Sequence, residues 1–280
     1  MNKEEENSFI TLLQGMLEVG ESAKGITVGN DDRILDAEGL FFKFFSHCCT
    51  AFYLRRKTII GEIKNINVNF LDVPSILIIT RAAIESYIVF NYVYLQPTNS
   101  DEANFRYWAW EYTGTFQRQR IMAVLPESKE KLKHEKKVLD KIRDALSETG
   151  TFKSLTTKQQ NNLVNGGNWT IPVSTGDQNY YPSWSKLAKL AGLNDKMAFE
   201  YYGFLSEYAH STSWSIMQLR DPNFVHVRDG FIDTALKSLM SIMALMIKAY
   251  IKFFNLDMDI VKKNSDLNRA IEVWSFVSTH

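Results

Sequence analysis

Pro74-Ser75-Ile76-Leu77-Ile78-Ile79-Thr80-Arg81-Ala82-Ala83-Ile84-Glu85-Ser86-Tyr87-Ile88-Val89-Phe90-Asn91-Tyr92-Val93-Tyr94-Leu95 is the stretch from which the fold of this chain can be read. Asp72 followed by Pro74 suits a helix start, because proline is accepted in the first turn, and Pro97 ends the run. Between them the residues are apolar nearly all round, which marks a helix enclosed by others and not one lying on a surface. It is predicted to be the centre of an all-α, multi-helix bundle.

Outward from this helix, 30–56 repeats Ile34, Leu35, Leu40, Phe41, Phe44, Phe45, Cys48 and Phe52 in steps of three and four, with Asn30 or Asp31 as cap. Residues 61–69 form a polar, Asn-rich link to the central helix. Downstream, 100–125 predicts a helix rich in aromatics and arginines. Residues 127–148 predict a charged helix with one narrow apolar stripe of Leu132, Leu139, Ile142 and Leu146. The stretch 150–182, with Gly166-Gly167 and Gly176-Asp177 as breakers, reads as an irregular insertion. Short helices follow over 183–193 and from Asn194 or Asp195 to His210.

Residues 214–230 read as extended, with room for a short hairpin. Residues 231–255 then form a long helix whose Asp233, Lys237, Ser241, Ala244, Lys248 and Lys252 share one wet edge. A last helix over 265–276 covers the bundle. The expectation is a single helical domain over 1–280, with its core at 30–255.

The chain has 280 residues, enough to bury a sizeable core, and 18 Phe, 12 Tyr and 6 Trp to fill it. Lys plus Arg equals Asp plus Glu at 32 each, so there is no global positive field and extended duplex DNA is disfavoured as a partner. The acidic start, residues 1–6, has the wrong order for a secretion signal. The charges within 231–254 argue against a membrane span. Cys48 and Cys49 are adjacent and cannot pair with each other in a helix, so a reducing, cytoplasmic setting is expected.

Arg81 and Glu85 stand at i and i+4 on the most enclosed helix, where charges are kept only if paired or hydrogen-bonded. They form either a structural ion pair or the wall of a polar site. His210 follows Ser206 by one turn, which allows a Ser-His contact. No Gly-x-Ser-x-Gly elbow accompanies it. Arg106, on the aromatic helix, and Tyr202 are candidates to hold an anionic ligand. His47-Cys48-Cys49 lacks a second ligand pair at zinc spacing, and no phosphate loop is present, so neither metal nor cofactor is expected.

Arg81-Ala82-Ala83-Ile84-Glu85-Ser86 and Tyr202-Gly203-Phe204-Leu205-Ser206-Glu207-Tyr208-Ala209-His210 resemble the paired motifs, Arg-x-x-x-Glu-Ser/Thr and Tyr-x-x-x-Ser-x-x-x-His, of an uncharacterised bacterial family of helical proteins. More loosely, the chain resembles the HEPN superfamily of helical bundles. That likeness implies a stress, toxin or phage-defence role, action on RNA and a homodimer. The HEPN motif itself matches only Arg220 to His226, where Pro222 would interrupt a helix.

Three readings stay open. One is an RNA-directed effector whose polar site is lined by Arg81, Glu85 and His210, with Arg106 and Tyr202 as ligand-binding candidates. Another is a non-catalytic module for a small ligand or a protein. The third is a hydrolase that uses Ser206 and His210 as catalytic residues and needs two backbone N–H donors near Ser206. The first requires that Arg81, Glu85 and His210 converge.

Overall fold

The structure is a computed structural model and describes residues 1–26, 32–60, 68–122, 124–175 and 178–279. Its helices, in chain order, are α1 (Lys3–Ser22), α2 (Asp32–Leu54), α3 (Val73–Phe90), α4 (Ser100–Arg118) and α5 (Pro126–Glu148). Then come α6 (Gly150–Ser154), α7 (Thr157–Val164), α8 (Trp184–Leu190), α9 (Tyr202–Ala209) and α10 (Ser213–Arg220). The series ends with α11 (Phe224–Phe254), α12 (Asp259–Lys262) and α13 (Ser265–Thr279).

Turns of π-helix, Asn91–Leu95 and Lys196–Tyr201, follow α3 and precede α9. Two antiparallel ribbons complete the described residues: β1 (Thr58–Ile60) with β2 (Val68–Phe70), and β3 (Val173–Thr175) with β4 (Gln178–Tyr180). The protein is all-α, a multi-helix bundle with these ribbons as trim. The expected cap at Asn30 or Asp31, residues 61–67 of the polar link and the Gly176-Asp177 breaker lie outside the described residues.

The chain divides into two compact units, Met1–Asn91 with Trp184–His280, and Tyr92–Ser183. In the first, α3 packs against α2, α11 and α9. Ile76, Leu77, Ala83, Ile84 and Ile88 are almost wholly removed from solvent, as an all-round apolar helix requires. Asp72 caps it by accepting from Ser75 N–H at 3.1 Å.

By length and composition Val73–Leu95 and His226–Phe254 could each cross a membrane. In the fold, 61% and 67% of their most apolar windows are buried.

A helix absent from the sequence expectation, α1, seals this unit. Asn2 and Glu5 form a reciprocal capping box, and Phe9, Leu12, Met16 and Val19 are buried. Its acidic end reaches across to α11: Glu5 pairs with Lys237 at 2.8 Å, and the Met1 ammonium meets Asp233. The predicted wet edge of α11 is covered only in part, since Asp233 and Lys237 keep 38% and 43% of their side-chain exposure and Lys248 and Lys252 are exposed. Ser241 and Ala244 are buried, and Lys248 donates to Ser275 on α13 at 2.7 Å.

Residues 214–230 also differ from expectation, since the extended segment or hairpin is helical. The Thr212 hydroxyl caps α10, and Pro222 falls in the break between α10 and α11, where it interrupts neither.

The second unit has a core of Phe105, Tyr112, Ile142, Leu146, Phe152 and Leu163, drawn from α4, α5, α6 and α7. The stretch expected to be an irregular insertion is built into it. The Asp101 carboxylate on α4 accepts from Gly150 N–H at 2.7 Å, Thr151 N–H at 2.8 Å and the Thr151 hydroxyl at 2.7 Å, fixing the start of α6. The Tyr112 hydroxyl donates to Val164 C=O at 2.9 Å, and Gly166 turns the chain at φ +71° against Phe116.

Candidate functional site

Within the first unit, α3 and α9 carry a shared polar cluster. Arg81 and Glu85 lie one turn apart on α3, and Arg81 Nε donates to Glu85 Oε1 at 2.9 Å. On α9, Tyr202 and His210 are eight residues apart and fall on one face, about 80° from each other. Asn194 starts this region by accepting from Met197 N–H at 2.9 Å.

Arg81 then spends its remaining nitrogens on α9: Nη2 donates to the Tyr202 hydroxyl at 3.4 Å and Nη1 meets His210 Nε2 at 3.1 Å. The Tyr202 hydroxyl donates to Glu85 Oε1 at 2.7 Å. The Arg81 and Glu85 side chains keep 14% and 29% of their exposure, Tyr202 is buried, and His210 is exposed. The cluster is thus a half-buried network that opens to solvent at the histidine.

Hydrogen-bond roles follow from what each group can do. A guanidinium only donates, so in this contact His210 Nε2 takes the acceptor role, which requires the tautomer with its hydrogen on Nδ1. Burial, reinforced by the Glu85 carboxylate, raises the Tyr202 phenol above its ordinary range and keeps it a donor. Burial works against the charge of Arg81, but its hydrogen bonds and attraction to Tyr202 and Glu85 outweigh that, so its pKa rises. Arg81 stays charged and His210 offers a proton acceptor beside it.

The other candidates fall elsewhere. Ser206 lies inside α9 and its hydroxyl donates to Tyr202 C=O at 2.8 Å. Helix-interior N–H groups are spent on preceding carbonyls, so the two oxyanion donors a nucleophilic serine needs are not at hand. This corrects the expectation of a catalytic Ser206, and the imidazole of His210 faces Arg81.

Arg106 belongs to the second unit. It donates to Tyr92 C=O at 2.8 Å and Gln96 at 3.2 Å, pairs with Glu102 and stacks over the Tyr92 ring at 4.1 Å. Those contacts commit it to holding α4 against the π turn.

Arg220 ends α10, and His226 sits in the first turn of α11 beyond the break at Pro222. Burial raises the thiol of the buried Cys48 and, with it, that of the half-buried Cys49, and lowers the half-buried His47. Among the described residues no three His, Cys, Asp or Glu side chains are grouped to hold a metal ion.

The part of the site that sequence reasoning missed is the bond from Tyr202 to Glu85, since tyrosine was read as a ligand contact. Its signal was the shared face of Tyr202 and His210. In the second unit, Ile121, Met122, Val124 and Leu125 stand out from the α4–α5 turn around a groove of about 700 Å³.

The sequence profile described as "Family of unknown function (DUF5677)" matches residues 68–224, more than half of the chain. The chain belongs to this family. The match takes in both motifs, so the DUF5677 region holds every member of the Arg81–Glu85–Tyr202–His210 cluster. No curated protein and no solved structure matches the chain.

Proposed function

We propose that the Arg81–Glu85–Tyr202–His210 cluster is the active site of an RNA-directed effector, a HEPN-like cytoplasmic protein that cleaves single-stranded RNA. The 3.1 Å approach of Arg81 to His210 carries the reading, because it sets a permanent cation against an imidazole nitrogen at the solvent edge. These are the two groups that metal-free phosphodiester transfer needs: one to hold a non-bridging phosphate oxygen and one to take a proton.

In this scheme the phosphate displaces His210 from Arg81 Nη1, and the freed Nε2 removes the proton of the ribose 2′-hydroxyl. The 2′-oxygen bonds to phosphorus, the bond from phosphorus to the 5′-oxygen breaks, and the departing oxygen takes a proton from water. His210 then returns its proton to solvent. Products are a 2′,3′-cyclic phosphate and a 5′-hydroxyl. Glu85 and Tyr202 act as positioning residues that hold the guanidinium in place. The free thiols of Cys48 and Cys49 fit a reducing compartment.

The test incubates purified protein with end-labelled single-stranded RNA. Wild type is expected to release cyclic-phosphate fragments, with Arg81→Ala and His210→Ala each slower by about 100-fold or more and His226→Ala unchanged. Intact RNA in the wild-type reaction, or cleavage lost only in His226→Ala, overturns the proposal. Intact RNA would instead favour the non-catalytic binding module, for which the apolar groove beside Ile121 and Leu125 is the supporting observation.

A further inference from the structure

Between α4 and α5 the second unit leaves bare what a fold ordinarily hides. Ile121, Met122, Val124 and Leu125 keep 65%, 86%, 78% and 61% of their exposure, and Met122 and Val124 are the most exposed large apolar side chains among the described residues. The turn that carries them is tied down at its base. Ile121 N–H donates to Arg118 C=O at 3.0 Å, the Gln119 amide donates to Leu132 C=O at 3.2 Å, and Arg118 Nε pairs with Glu135 at 3.0 Å. These bonds join the end of α4 to the start of α5 and ask nothing of the four apolar side chains, which form an exposed tip of the kind that marks an interaction surface.

Cations frame the tip. Residues 118–137 carry Arg118, Arg120, Lys129, Lys131, Lys133, Lys136 and Lys137 against Glu127, Glu130 and Glu135, seven against three, a net charge of +4 in a chain whose total is zero. All seven cations are exposed. Lys129, Lys131 and Lys133 stand about 4.5, 7.5 and 10.5 Å along α5 from Pro126, so they make a collar behind the apolar tip. Arg118 and Lys131 also line the groove of about 700 Å³ beside it, and no carboxylate among the described residues does.

An aliphatic tip with a cationic collar matches the layers of an anionic bilayer, acyl chains below and phosphate and carboxylate groups above. Single-stranded RNA would use the same charges, but it asks for aromatic side chains on which bases stack, and the tip is wholly aliphatic. A bilayer accounts for both halves of the surface, and nucleic acid for one.

We infer that the α4–α5 turn is a docking surface for an anionic lipid bilayer: Ile121, Met122, Val124 and Leu125 enter the interface to a depth of about 5–10 Å while the collar meets the lipid headgroups. The contact lies on the membrane and does not cross it. It draws nothing from the Arg81–His210 cluster and stands or falls apart from RNA cleavage.

Co-sedimentation of the full chain with vesicles tests it. Phosphatidylcholine vesicles with about 30% phosphatidylserine are expected to bind wild type at least about tenfold more tightly than phosphatidylcholine alone, and about 0.5 M salt should remove most of that difference. Met122→Glu with Val124→Glu is expected to weaken binding about 100-fold, with helical content and thermal midpoint unchanged because both positions are exposed. Lys129→Gln with Lys131→Gln should weaken it about 30-fold. Glu127→Gln with Glu130→Gln should tighten it by a similar factor, a gain that unfolding cannot mimic. Phe42→Glu, at an exposed apolar position of α2, should leave binding unchanged.

A wild type that stays in the supernatant with anionic vesicles overturns the inference, as does binding that Met122→Glu with Val124→Glu leaves intact. Retention of labelled single-stranded RNA without any vesicle binding, lost in Lys129→Gln with Lys131→Gln, would give the collar to nucleic acid and likewise overturn it.

Discussion

Tyr202 donates its phenolic hydrogen to the same oxygen of Glu85 that Arg81 Nε also holds, at 2.7 Å and 2.9 Å respectively. One carboxylate oxygen thereby ties two helices together. A buried phenol without a partner would lose about 1–3 kcal/mol, which is why this bond matters to the fold as well as to the site.

Removing that hydroxyl should show the effect directly. Tyr202→Phe is expected to destabilise the protein by about 1–2 kcal/mol in urea unfolding. Glu85→Gln keeps an acceptor and should cost less. A double-mutant cycle between the two should give a coupling of at least about 0.5 kcal/mol. Additive losses would mean the bond contributes nothing of its own.

The Arg81 fork reaches three side chains, and an ammonium cannot do so. Arg81→Lys should therefore lose nearly as much stability as Arg81→Ala, about 2–3 kcal/mol with allowance for the partial exposure of Glu85. Nitrogen-15 spectra of the imidazoles provide a second readout. Wild-type His210 should carry its proton on Nδ1, and Arg81→Ala should release that preference. Finding the proton on Nε2 in wild type would contradict the contact seen at 3.1 Å.

Acid should loosen the second unit through Asp101. The Thr151 hydroxyl, followed by the N–H groups of Gly150 and Thr151, holds this carboxyl below its ordinary value. The unfolded chain binds the proton more readily. The stabilisation is therefore complete above the usual aspartate range, near pH 4, and is lost as pH falls through the folded value. Chemical denaturation between pH 6 and about pH 3 should show a smaller decline in Asp101→Asn than in wild type. Equal slopes would remove Asp101 from the account.

Gly15 on α1 faces Leu267 on α13. A Cβ there would stand 2.3 Å from Leu267 Cδ1, and Leu267 is fully buried. Gly15→Val should cost about 1–3 kcal/mol by overpacking, and adding Leu267→Ala should recover part of it. Recovery is the discriminating result, because loss of helix propensity alone would not respond to the second change.

The parts of the fold written in the sequence are those where one periodicity dominates. The run from Ile76 to Phe90 is apolar nearly all round and is largely enclosed, although Ile78 keeps 41% exposure, and the spacing from Arg81 to Glu85 put both on one face. The approach of Tyr202 and His210 to that face depends on how α9 docks on α3, and no local pattern encodes that.

Helix α1 was overlooked because its acidic head draws the eye from the capping box at Asn2 and Glu5 and from the steps Phe9, Leu12, Met16 and Val19. Residues 214–230 misled because Ser, Trp and Pro lower helix propensity, whereas Thr212 as cap and Pro222 between two helices fit helices well. On α2, Leu35 was read as part of the inner face, whereas it keeps 55% exposure.

The first unit is built from two stretches of chain, Met1–Asn91 and Trp184–His280, whereas the second is continuous. During synthesis the second can therefore close on itself as soon as it leaves the ribosome, while the sides of α3 that α9 and α11 cover stay bare. Arg81 meets His210 only after 129 further residues have been made. Nascent chains halted before that point would expose the greasiest helix to chaperones and hold no assembled polar cluster.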